Sequence, residues 1–291
     1  VPVYEQTYRN YEGGLRHQFR WWIVVEQEFR VLSRSRIFKF LVLLAGIHVI
    51  FRILQVVGYD VIVQDPNHPM APLLKQVEVI VVNARMFFDF VRLQTPLMFI
   101  TLLYAGSGMI CNDIRNNLME IYFSKPLRWY DYVLGKVLAL ILLGLALTAL
   151  PVVLVLVQHN LLVPSMQTLN DSLFWGGAAL GFSLVVVVPT ALCILACSAL
   201  MPGQNYAAIT VFMLLIANST MAGLLAGALR DRNYLVLSFP MALDRVGQEL
   251  FQDQRLLFDL RWEWPVGYVG LICLIALAVV MWRARRAEVA A

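Results

Sequence analysis

Six stretches of mainly apolar residues dominate this chain: Ile37 to Val57, Leu93 to Cys111, Val133 to Val157, Leu173 to Leu200, Tyr206 to Leu229 and Trp264 to Trp282. A helix needs about 20 such residues to cross a bilayer, and within the hydrocarbon its backbone N–H and C=O groups must be bonded inside the segment. These runs predict an all-α integral membrane protein whose six transmembrane helices occupy residues 37–282. Composition agrees, since 60% of the 291 residues are hydrophobic and 14% are charged. Soluble domains average roughly 45–50% apolar.

An even number of spans places both termini on one side. Arg34, Arg36 and Lys39 precede the first run, and Arg283, Arg285 and Arg286 follow the last. Basic residues concentrate on the cytoplasmic side of membrane proteins. The expectation is therefore a multi-pass protein of the cell's inner, cytoplasmic membrane with both termini in the cytoplasm and residues 283–291 as a basic tail. The formal charge of +4 reads as a topology signal and not as a nucleic-acid surface.

Residues 1–36 read as a cytoplasmic arm carrying Tyr4, Tyr8 and Tyr11, followed by an amphipathic helix from Leu15 to Ser33. Phe19, Trp22, Ile23, Phe29 and Leu32 fall mostly to one side of that helix. It suits a bilayer interface or a docking partner equally. Gly58 to Met70 is rich in Asp, Pro and His and reads as a loop. A helix over 72–92, with Arg85, Asp89 and Arg92 on one face, is expected outside the bilayer. So is an amphipathic segment within 230–263, where Leu243, Val246, Leu250, Leu257 and Leu260 recur at helical spacing.

Within the spans, His48 and Arg52 lie four residues apart and share a face. Ionisable groups at that depth cost roughly 2.5 kcal/mol or more and are candidate contacts. The favoured reading is structural, with Arg52 snorkelling to the outer headgroups and His48 bonding a neighbouring helix. Gly223 and Gly227 put small residues along the fifth span, which suits close approach of a second protomer or of another helix in the same chain. The four cysteines fall in or beside spans, and no set of His, Cys and carboxylates has metal-ligand spacing.

The most specific stretch is Ile110 to Ala139. A span ends near Cys111, a polar helical segment follows through Glu120, Ser124-Lys125-Pro126 interrupts it, and the next span starts after Tyr132. Pro126 cannot continue a helix and biases Lys125 away from the helical region. The order Asp113, Glu120, Ser124, Pro126, Arg128, Gly135, Lys136 resembles the first cytoplasmic loop of permease subunits of the ABC type-2 transporter family. Where that family usually has Gly between the acids, this chain has Asn116-Asn117, and Asn tolerates unusual backbone angles next best.

The resemblance implies that loop 112–132 is a coupling helix seated in a groove of a separate ABC ATPase subunit, with Asp113, Arg115 and Glu120 among its contacts. It also implies pairing with a second permease copy or paralogue, and export of an amphipathic or lipid-linked substrate. ATP and Mg would be bound by the partner ATPase and no cofactor by this chain. In keeping with that, Gly135-Lys136 lacks a Gly at Tyr130 and is followed by Val137, so it is no phosphate-binding loop and no enzyme activity is expected. The alternative is an ATPase-bound membrane anchor that transmits force, or recruits an external partner protein, without moving substrate.

Overall fold

The structure, a computed structural model, describes residues 19–64, 69–70, 81–123, 127–253 and 260–290. Among them there is no strand. The helices are α1 (Arg20–Arg34), α2 (Arg36–Gln64), α3 (Ala84–Gly106), α4 (Cys111–Arg115), α5 (Leu118–Phe123), α6 (Trp129–Leu147), α7 (Ala149–Leu162), α8 (Met166–Leu200), α9 (Gln204–Leu229), α10 (Phe239–Leu250) and α11 (Glu263–Ala290), with a 3-10 turn at Arg232–Leu237. Six of the described segments are long and apolar enough to cross a membrane, and they contain the six runs of the sequence.

These segments fall into two layers. In the apolar windows of α3, α6–α7 and α8, 61%, 56% and 61% of the residues are buried, against 17%, 11% and 22% in α2, α9 and α11. The first three form a core in which Phe87, Phe88, Phe90 and Phe182 are shut away from the surface. Glycines set two of the closest approaches. A Cβ on Gly144 would lie 2.5 Å from Val187, and one on Gly106 would lie 2.6 Å from Leu140. The other three helices spread most of their apolar side chains outward, as helices do when lipid replaces water.

Local chemistry explains the helix boundaries. Asn83 accepts a bond from Met86 N–H at the start of α3, and Ser165 accepts one from Thr168 N–H at the start of α8. Both are ordinary N-caps. At the head of α6, Asp131 reaches back to Arg128 N–H at 3.3 Å. The third span is divided at Thr148, because the ring of Pro151 conflicts with the carbonyl of Leu147. By contrast α8 runs through Pro189 as one helix, and the next residue, Thr190, donates its hydroxyl to the Val186 carbonyl at 2.7 Å.

Several expectations need correction. The helix of the first span runs on to Gln64, so Tyr59 and Asp60 belong to α2 and not to a loop. Arg85, Asp89 and Arg92 lie in the same continuous helix as the second span, since α3 begins at Ala84, and the described part of 72–92 forms no separate helix. In 230–263 the amphipathic helix ends at Leu250, because the chain turns through Phe251 and Gln252, the latter at φ 54°. Around α1 the buried face is Val24, Val25 and Leu32, while Phe19, Trp22 and Ile23 are exposed. The Tyr-rich arm, residues 71–80, the Ser124-Lys125-Pro126 turn and Leu257 lie outside the described residues.

Candidate functional site

The connection between the second and third spans is an elbow. Helix α3 stops at Gly106, four residues turn, and α4 and α5 follow with Asn117 between them at φ 54°. Asn is among the few residues other than Gly that adopt this left-handed conformation readily. Ser198 of α8 closes the elbow from behind. Its hydroxyl accepts from the N–H groups of Ile110 and Cys111 at 3.1 and 3.2 Å and donates to the Ser107 carbonyl at 2.8 Å.

Lys136 is the centre of the site. It is 1% exposed, and its ammonium lies 2.5 Å from Glu28 Oε1, 2.6 Å from Asp113 Oδ2 and 2.9 Å from the Met109 carbonyl. Asp113 also accepts the hydroxyl of fully buried Tyr132 at 2.8 Å. Burying a charge is tolerable only when it is paired and hydrogen-bonded. Here one ammonium satisfies two carboxylates and a carbonyl, joining α1, the elbow and α6. Nearby Tyr122 has its phenol pushed above the usual value, first by burial; Lys136 opposes the shift, and Asp113 and Glu28 add to it. It stays neutral at ordinary pH.

Gly135 serves the same junction by being small. A Cβ there would lie 2.6 Å from Val24 Cβ and 2.8 Å from the Trp21 carbonyl, so α1 lies directly on α6 at this residue. The Gly135-Lys136 pair thus combines a close approach with a buried charge. Asp113 and Lys136, expected as coupling residues, face inward. The tip faces outward: Arg115, Asn116, Asn117, Glu120 and Ile121 are exposed.

The C-terminal end of α11 lies against the elbow. Glu120 shares a cavity of about 250 Å3 with Asn117, Arg283 and Arg286. Arg285 sits 5.7 Å from the Trp129 ring, and Arg286 sits 4.1 Å from that of Trp282. Arg128 is exposed and lies over Tyr130, while Ser124 and Pro126 are outside the described residues. The amphipathic helix, the elbow and the basic C-terminal segment therefore gather at one end of the bundle. No protein-family model matches the chain, and no curated protein matches its sequence.

The remaining sequence candidates stand apart from this junction. His48 Nδ1 is 2.6 Å from Gln94 Oε1, so this ring bonds a neighbouring helix. Arg52 does not snorkel. It is 7% exposed, donates to Gln55 at 2.9 Å and lies 6.0 Å from the Phe90 ring, because α2 continues three turns beyond it. Gly223 and Gly227 have no described atom within 4 Å of an added Cβ, so they pack against nothing within the described chain. Among the described residues no group of three or more metal-binding side chains comes together.

Sequence reasoning missed Glu28, Tyr132 and Ser198 at the elbow, and a second buried pair at the opposite end. There Asp60, 2% exposed, lies 2.8 Å from His159 Nδ1, joining α2 to α7. Its one sequence-level trace is an acid and a histidine near the outer ends of two spans, which does not identify them as partners.

Proposed function

We propose that this chain is the membrane-spanning permease subunit of an ATP-driven ABC type-2 transporter, coupled to separate ATPase subunits through residues 112–132. What carries the reading is the form of the elbow. Its tip is exposed at the end of the bundle, while its base is fixed by the Lys136 cluster to α1 and α6. A lever needs both a free contact surface and a rigid root, and this segment has both.

In this reading, closure of the ATPases on ATP pushes the tip. Asp113 and Lys136 transmit the displacement to the second and third spans, and two permease halves alternate their access to an amphipathic or lipid-linked substrate for export. Glu120 contacts the ATPase groove, and Asn117 sets the angle of the tip. The sparsely buried α2 and α9, with Gly223 and Gly227 open on α9, offer surface for the second permease copy.

The test is ATP turnover by the complex reconstituted from native membrane. Glu120→Gln is expected to leave the permease folded and the ATPase bound while uncoupling hydrolysis from the membrane subunit. Unchanged coupling in a folded variant would refute the role of Glu120 and, with it, the lever.

A further inference from the structure

A second site lies between α8, α9 and α11, its α8 wall ending at Cys197, next to the Ser198 that closes the elbow. It is a cavity of about 230 Å3 beneath α10 and the 3-10 turn. On α8 it is lined from Thr190 to Cys197 and on α9 from Val211 to Asn218, so it runs for about 10 Å along the helix axes. Phe99 and Ile272 complete walls that are overwhelmingly apolar.

The few polar groups in those walls are already bonded. Thr190 donates to the Val186 carbonyl. Asn218 donates to the Leu237 carbonyl at 2.8 Å and to Tyr268 Oη at 2.9 Å, and accepts Phe239 N–H at 2.7 Å. Tyr268 in turn donates to the Leu237 carbonyl. A buried water needs two to four polar partners, and apolar cavities of roughly 150 Å3 stay dry yet admit benzene. This cavity therefore suits an apolar guest.

Access is lateral. Helices α9 and α11 each pack on α8 and on the 3-10 turn and not along one another, leaving a slot between them. Both are sparsely buried spans whose outer faces meet the bilayer. The long axis of the cavity follows the helices and hence the direction of lipid tails, and its bonded Asn218–Tyr268 end lies toward α10.

We propose that this cavity holds one acyl chain of a bilayer phospholipid, entered sideways between α9 and α11. The proposal requires only that the helices span a bilayer and is independent of any ATPase partner. Its test is photolabelling of the full chain in liposomes containing a phosphatidylcholine with a diazirine on one acyl chain. Adducts are expected to concentrate on 190–197 and 211–218 relative to the open face of α2. Cys193→Trp, which fills the cavity, is expected to lower the adducts on 211–218 about tenfold while those on α2 stay unchanged. Even labelling over all bilayer-facing helices, unaffected by Cys193→Trp, would overturn the site. Should that variant fail to fold, Val211→Phe makes the same comparison from the opposite wall.

Discussion

The two ends of this bundle each bury charge, but they do so differently. At the elbow end one lysine is held between two carboxylates and a carbonyl and binds three chain segments, one of which leads to an exposed tip. At the opposite end Asp60 and His159 pair α2 with α7, and the His159 ring stands 6.2 Å from that of Trp175 on α8. The elbow end is thus committed to a fixed junction, and the opposite end fastens one helix pair.

Breaking the lysine should have the largest effect. Lys136→Met leaves two carboxylates buried without their counter-ion and is expected to destabilise the fold by about 3–5 kcal/mol. In detergent this should appear as a lower thermal midpoint together with faster hydrogen exchange in 20–34 and 111–123. Adding Glu28→Gln and Asp113→Asn should restore most of the loss, because a neutral set no longer needs an ammonium.

The opposite end should respond less. His159→Phe removes the partner of Asp60 and is expected to cost about 1–3 kcal/mol, with faster exchange limited to α2 and α7. Spread of that change to the elbow would erase the distinction between the two ends.

A half-exposed pair sets the lower limit. Arg92 and Asp244 meet at 2.9 Å with the arginine side chain 46% exposed. Arg92→Ala is therefore expected to cost less than about 1 kcal/mol. The Asp244 carboxyl is raised above its ordinary value by burial, with Arg92 pulling it back. The folded chain consequently holds that proton more tightly than the unfolded one, so ionised Asp244 subtracts stability above its folded pKa and the loss disappears as pH falls through that value. Thermal unfolding followed from neutral to acid should show Asp244→Asn more stable near neutrality and flatter with pH.

The contrast also shows what the sequence could reveal. Runs of apolar residues mark the six spans because bilayer thickness fixes their length. A polar helical break between the second and third spans was legible from the local order, and within it Asn117 takes a left-handed conformation that Asn tolerates. Partnerships across the chain were not legible. Nothing in the sequence of α1 singles out Glu28, which reaches Lys136 because Gly135 admits that helix against α6. Asp60 reads as a loop residue until His159 comes from a segment 99 positions away. Ser198 resembles any small residue of a span until the elbow's N–H groups reach it.

The central claim is that an ATPase sits on the elbow. The most direct measurement is purification of the chain from its native membrane in mild detergent, followed by mass spectrometry and an ATPase assay. An ATP-binding subunit is expected to accompany the wild-type chain and to be lost with Glu120→Lys while the variant remains folded. Recovery of folded chain with no ATPase, or an ATPase retained equally by Glu120→Lys, would contradict the account.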